Sequence, residues 1–537
     1  MERRLAAPSQ AIEARFENSA GAWRERSRFL MAISGVILVS CFLRIGSATP
    51  DVSWLIDMCA RILNGEQGYI DIFETTPPVP VLLYMPGAWL EKYVGIPAEL
   101  AVTGYTYGTY LSALWLAWRI LPRKLDGLGS SHWHAIFPLA VFLFILSYES
   151  FSQREMFAAA LLAPMVCVLI AWRQTGQWPE LKLHTTAIIL ASLGAAIKPP
   201  LFTLPLLLCG GYLLVTTRSL RPIYSSGLVA TGFLFLFITA ASLWAFPAYL
   251  DGVYQLMRDV YVPIRHDFYY GLFSDNIILA IACLALIRLR PANAVQFSET
   301  DKLFITTMTG FAIAYFFQGK YFDYHAVPIA LFAFVIAWSS LLQNLPEEKG
   351  AAALTSLAPG KVNWRFYFMA ASIAVISAGF FNSFDDDEPK LKDRSWAESL
   401  DHPTAMAISS GYITGFPLAR EIDAQWINRT HCQWAVTYPE AVMRKQHVSE
   451  KQRRIFKKYQ EEEINRVAAL VPQKKPEIII QSTTRQSIWL ASLILEKNPT
   501  LFDDYDIVAE EDVFRIWRRK GSADKASPVA SFKAGEQ

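Results

Sequence analysis

Charge is scarce in this sequence. Asp, Glu, Lys and Arg make up 18% of its 537 residues, where soluble domains carry roughly 25%. With 53% hydrophobic residues, that shortfall excludes an ordinary soluble protein over most of the length. The deficit is uneven: residues 29–382 are long apolar stretches with short polar breaks, and dense charge is confined to 1–28 and 383–537. The net charge is only +2, and no basic stripe is present, which excludes nucleic acid as a partner. Metal-ligand spacings such as CxxC or HExxH are missing. No repeat occurs at solenoid spacing, and no inverted repeat of the transporter kind can be aligned. Residues 1–28 do not read as a cleavable signal, because they are long and charged and the apolar run behind them is bilayer-sized.

Cysteine is sparse too, at six residues. Cys41, Cys167, Cys209 and Cys283 sit in apolar stretches, where a thiol acts as a small hydrophobe. Cys59 and Cys432 fall in segments expected outside the cytoplasm; a disulfide between them stays open, since two isolated cysteines fix no geometry.

What is present is a series of apolar runs. They predict a polytopic α-helical membrane protein with about eleven transmembrane helices and a small C-terminal α/β extracytoplasmic domain. The spans read as 29–48, 98–120, 133–149, 155–172, 184–197, 199–217, 226–246, 275–290, 302–318, 325–343 and 363–382. If Arg24, Arg26 and Arg28 are cytoplasmic, alternation puts every other short basic cluster on that side. These are Arg119/Arg123/Lys124, Arg173/Lys182, Arg218/Arg221, Arg288/Arg290/Lys302 and Lys349/Lys361. Basic residues favour cytoplasmic loops, so the pattern predicts a cytoplasmic N-terminal segment and a tail from 383 onward outside the cytoplasm. The long first outer loop, 49–97, is expected to hold an amphipathic helix at 54–63. Its 79–94 stretch is expected to lie along the interface, with Pro80 and Pro86 interrupting any helix. In the tail, helices are expected at 449–470 and 485–497, and strands at 405–413, 477–481 and 513–517.

Ionisable groups at membrane level are costly and therefore mark function. Here they collect on the outer side: Asp51, Asp57, Asp71 and Glu74 in the first loop, Arg154 and Glu155, Lys198, then Lys320, Asp323 and His325. Bases beside lipid headgroups can hold a phosphate by charge-assisted hydrogen bonds. A facing carboxylate can take a proton from an incoming hydroxyl. Together they would let a lipid phosphate leave while an acceptor attacks.

The ordered segments TPDVSWLIDMCARILNGEQGYIDIFETTPPVP, FSQREMFAAALLAP, AAIKPP and FFQGKYFDYHAVP resemble the GT-C superfamily of membrane glycosyltransferases. Within it, the likeness is to dolichyl-phosphate-mannose/aminoarabinose transferase-like members that use polyprenyl-phosphate sugars. The resemblance covers roughly residues 29–382 and extends more weakly to the tail. It implies a glycosyltransferase of the bacterial inner membrane, moving a sugar from a polyprenyl-phosphate donor to a hydroxyl acceptor on the periplasmic face. The acceptor would be a glycan, lipid or protein of the cell envelope. It implies Asp51 as general base and Asp71 as a second acid that positions the acceptor. Arg154 and Glu155 match a QRE pattern, Lys198 a KP pattern, and Lys320, Tyr324 and His325 a QGK…YH pattern, as binding residues. Adjacent acids, common in relatives, are missing from the first loop, so no cofactor is implied and a divalent metal stays open.

Plainer readings stand beside these. Asp51 could cap a helix, Asp71 could serve a turn, and Asp57 fits the solvated side of an amphipathic helix. Arg154 and Glu155, adjacent on a helix, point in different directions and could tie spans together. Lys198 could snorkel, Lys320 could anchor a helix end, and His325 could be structural. Tyr254, Tyr261, Tyr269 and Tyr270 fit either an interfacial belt or sugar stacking, and Arg258, Arg265 and His266 fit donor phosphate or anionic headgroups. Asp385–Glu388 reads as a solvated linker, and the Asn428-Arg429-Thr430 sequon carries no meaning in a bacterial protein. The functional alternatives are a transporter or flippase of a lipid-linked saccharide, and an assembly protein without chemistry.

Overall fold

The computed structural model describes residues 27, 31, 33–42, 49–123, 125, 133–147, 150–287, 297–342, 396–445, 448–511 and 513–522. Helix α1 (Ile33–Phe42) precedes the first loop, which folds into α2 (Pro50–Leu63) and α3 (Pro78–Val94). The bundle continues with α4 (Ala98–Ile120), α5 (Trp133–Val141), α6 (Arg154–Thr175), α7 (Leu181–Ala196), α8 (Leu204–Thr217) and the short α9 (Arg221–Ser225). After α10 (Leu228–Ala245), short α11 (Tyr254–Leu256) and α12 (Phe268–Leu272) build the 247–274 connection. Helices α13 (Asp275–Leu286), α14 (Glu299–Gln318) and α15 (Asp323–Leu342) follow. Each segment read as a span therefore contains a described helix except 363–382, which lies outside the described residues. By length and apolarity alone, α6, α10 and the first 18 residues of α15 are able to cross a membrane.

Helix α6 is the core of the bundle. It is buried along nearly its whole length and packs against α4 and α7. Helix α10 is equally apolar yet only 17% buried, and Phe233, Phe237 and Trp244 stand exposed on it. An apolar helix with that exposure fits a lipid-facing position. Close backbone approach is built in where α14 crosses α8: a Cβ on Gly310 would sit 2.4 Å from the Pro205 Cα. Small residues serve such contacts in membrane bundles.

Two expectations for the first loop are corrected. The 79–94 stretch is a continuous helix, because Pro78 and Pro80 occupy its first turn, where a missing N–H costs nothing. Pro86 is accommodated inside it, and the helix ends at Gly95 with φ 78°. Asp57 is not on a solvated face: it is 7% exposed, and burial pushes its carboxyl up to about 7. Helix α2 is amphipathic in sequence, but its polar side is covered by the C-terminal domain. Trp54 meets Phe416 edge-on at 5.4 Å, and Arg61 Nη1 donates to the Asn428 carbonyl at 2.9 Å.

That domain holds a five-stranded sheet of order β2-β1-β3-β5-β4. Its strands are β1 (Thr404–Ile408), β2 (Gln425–Trp426), β3 (Ile478–Ser482), β4 (Tyr505–Glu511) and β5 (Phe514–Arg519). Strand β1 runs parallel to β2 and β3, while β5 pairs antiparallel with β3 and β4. Both expected tail helices are present, at Glu450–Lys474 and Arg485–Lys497, and a third runs from Trp434 to Lys445. Arg420 fastens the domain to the first loop and to the start of α4, bonding Glu91 at 2.6 Å and also Glu99. Cys59 and Cys432 are both free and buried, so the disulfide left open by the sequence does not form.

Candidate functional site

Helix α2 starts abruptly at Pro50, and no side chain caps it. The carboxylate of Asp51, one residue in, instead accepts from Arg154 Nη2 at 2.5 Å. Arg154 opens α6, where a cation is disfavoured by the helix dipole; the paired carboxylate offsets this. Its Nη1 donates to the Thr76 hydroxyl. Glu155 turns away from Arg154, as adjacent helical residues must, and its Oε1 lies 2.8 Å from Lys198 Nζ and 3.5 Å from His325 Nε2. Its Oε2 has no hydrogen-bond partner among the described residues. Lys198 follows α7, and His325 lies in the first turn of α15. Lys320, in the turn between α14 and α15, donates to the carbonyls of Tyr261 and Ile264. Its ammonium sits 3.9 Å from the Tyr261 ring centroid.

These groups surround one cavity of about 770 Å³, lined by Asp51, Arg154, Glu155, Lys198, Lys320, Tyr324 and His325 among others. The volume lies within the range of small-molecule sites. Asp71 is absent from that lining. It is exposed, and its Oδ2 accepts from the Gln67 backbone N–H at 2.8 Å. The turn reading of Asp71 describes its geometry, and the expectation that it joins the other outer-side charges in the cavity is corrected. Of the 247–274 aromatics, Tyr254 and Tyr261 line the cavity, while Tyr269 and Tyr270 are exposed and stacked on each other at 4.5 Å. Arg265 lines the cavity; Arg258 is turned outward and pairs with Asp259 at 2.7 Å.

The first-loop acid that joins Asp51 and Glu155 in the cavity is Glu74, which the sequence groups with the outer-side charges but assigns no role. Its Oε2 accepts from Trp54 Nε1 at 2.5 Å, and its Oε1 from the Thr76 N–H at 2.7 Å. Environment separates the two carboxyls. Burial pushes Asp51 above the ordinary carboxylate value, against Arg154, with Glu74 and Glu155 adding to the rise. Burial also acts on Glu74, but His431, Arg154 and the hydrogen bonds from Thr76 and Trp54 outweigh it and hold Glu74 below its ordinary value. The same cavity thus pushes its two first-loop carboxyls in opposite directions. Among the described residues, no three His, Cys, Asp or Glu side chains converge as metal ligands. Sequence reasoning also missed His431, Trp434 and Tyr438, which reach the same cavity from the C-terminal domain.

The chain is a helical bundle with a structured first loop and a small α/β domain over a cavity edged by charged groups. That fold is shared with ArnT from Cupriavidus metallidurans in two crystal structures. The one bound to undecaprenyl phosphate aligns with a TM-score of 0.54 and 13% identity, over 95% of this chain and 100% of that one. The apo structure aligns with a TM-score of 0.52 and 14% identity, over 94% and 100%. No protein-family model matches the sequence, and no curated protein does.

Proposed function

We propose that this protein is a glycosyltransferase that moves a sugar from a polyprenyl-phosphate donor to an acceptor hydroxyl. One observation carries the reading. Asp51 shares a single cavity with Arg154, Lys198 and Lys320, in a fold common to a protein crystallised with undecaprenyl phosphate. Asp51 takes the acceptor proton as the hydroxyl oxygen attacks C1. The bond from C1 to the phosphate oxygen breaks, and the phosphate leaves with the electron pair. The cations offset its charge, which is the kind of electrostatic term that dominates many enzymatic rates. Arg154, bonded to both Asp51 and Thr76, holds the base in place. The one-sided basic clusters support about eleven spans in a bacterial inner membrane, with the cavity and the tail on the periplasmic side. The polysaccharide, lipid or protein built there is a product of cell-envelope assembly.

The test is reconstitution of the full chain in liposomes with radiolabelled undecaprenyl-phosphate sugars and an envelope extract as acceptor. Label transferred to an acceptor is the expected result. Movement of the lipid between leaflets without any product would replace the reading with that of a flippase.

Lys320 gives the reaction a pH signature. Burial pushes its ammonium down to about 7, and the nearby Arg265 charge adds to the effect. A lysine with a lowered value is charged below it and neutral above. A phosphate favours the charged form, so donor affinity should weaken as pH rises through about 7. Lys320→Arg keeps its charge throughout and should flatten that dependence. Titrating both forms with donor lipid between pH 6 and 9 checks this; parallel curves would exclude Lys320 from phosphate binding.

A further inference from the structure

We infer that the C-terminal domain supplies one wall of the sugar subsite, with His431, Trp434 and Tyr438 holding the glycosyl group of a lipid-phosphate-linked saccharide beside Asp51. This rests on the transferase reading and specifies which part of the donor the domain recognises.

The three side chains line the same cavity as the first-loop acid and the bundle cations. Trp434 and Tyr438 are four residues apart on the helix Trp434–Lys445, so they share a face. The Trp434 ring meets the Tyr261 ring edge-on at 5.6 Å, and Tyr261 in turn carries the Lys320 ammonium over its face. At the other end, the His431 ring lies 5.5 Å from Trp54, the residue that bonds Glu74. The wall thus runs from the carboxylates to the ammonium. A group that bridges Asp51 and the Lys320 ammonium passes along it, and in glycosyl transfer with the phosphate at Lys320 that is the sugar ring.

The composition of the wall fits such a ring. A pyranose or furanose has apolar C–H faces, which suit the faces of Trp434 and Tyr438, and hydroxyl edges that need both donors and acceptors. Burial pushes the His431 imidazole below its ordinary value, against Glu74 and Asp51. The ring nitrogens of an imidazole match hydroxyl edges that donate and accept. An acyl chain can pack on the aromatic faces but offers nothing to hydrogen-bond with the imidazole. The wall is also held in register by backbone bonds just before it: Arg61 donates to the Asn428 carbonyl, and the Phe73 N–H donates to the Arg429 carbonyl at 2.7 Å. The Arg429 guanidinium lies over the Phe73 ring.

The experiment uses the full chain in nanodiscs. Binding is measured for bare undecaprenyl phosphate and for a panel of undecaprenyl-phosphate-linked hexoses and pentoses. The intact protein should bind at least one sugar-linked lipid about ten-fold more tightly than the bare lipid. His431→Ala and Trp434→Phe should each remove most of that preference while leaving bare-lipid affinity within about two-fold, and His431→Gln should restore part of it. Melting temperature and gel-filtration profile accompany each variant, and the bare-lipid affinity itself reports an intact fold. Equal loss for both lipids, no loss for either, or an intact protein without preference would each overturn the inference. An intact protein that binds neither lipid would instead remove the transferase reading beneath it.

Discussion

Asp51→Asn is expected to lower glycosyl transfer by about 10²–10⁴-fold, the usual worth of a general base, with the protein still folded and still binding donor. Asparagine keeps an oxygen that can accept from Arg154, so the ion pair becomes a hydrogen bond from a cation to a neutral amide and the α2–α6 contact survives. What is lost is the ability to hold a proton. Because Arg154 no longer faces a carboxylate in the 2.5 Å pair, its charge is more available to a phosphate, and donor affinity should hold or rise. Residual turnover in wild type should also fall as pH drops through the raised Asp51 value, since protonated Asp51 cannot act as base. Steady-state transfer beside donor binding checks both halves. Near-normal turnover in the variant would take Asp51 out of the mechanism.

Lys198→Met is expected to produce two separable losses. The first is stability. Glu155 is 1% exposed at its side chain and is held by Lys198 at 2.8 Å, so removing the amine strands a buried carboxylate at a cost of about 3–5 kcal/mol. The second is rate, about 10²–10³-fold, through loss of one group stabilising the departing phosphate. Lys198→Met combined with Glu155→Gln removes the stranded charge and should recover most of the stability. Transfer should stay low. Melting curves and turnover for the three variants form a double-mutant cycle; recovery of turnover together with stability would make Lys198 a structural residue only.

The bundle was legible in the sequence because membrane helices are long, apolar and separated by basic loops. The same logic drew Asp51, Arg154, Glu155, Lys198, Lys320 and His325 together, since charges at membrane level have few places to go. Where the reading failed, a second covering surface was involved. Asp57 reads as solvated from the period of α2, and only the tail packed on that side buries it. Asp71 and Glu74 are equivalent by composition and spacing; what separates them is that Trp54 and Thr76 turn toward Glu74. His431 lies far along the chain from Asp51, and no motif announces it. In the tail, β2 is two residues long and β4 carries Asp506, Glu510 and Glu511, so neither has a strand's usual apolar alternation. The helix Trp434–Lys445 contains Pro439, which reads as a break. Pro80 and Pro86 misled in the same way, because position within a helix decides what a proline costs.

The Phe73–Arg429 backbone bond has an implication for how the protein matures. Glu74 sits next to a residue whose amide is held by a segment more than three hundred positions later. As the nascent chain emerges, the membrane helices and their cations are made well before that segment. The bundle half of the cavity can therefore assemble while the acid-bearing loop still lacks its final support. The cavity is complete only when the C-terminal domain has folded and seated, so a product stalled before that segment would lack one wall.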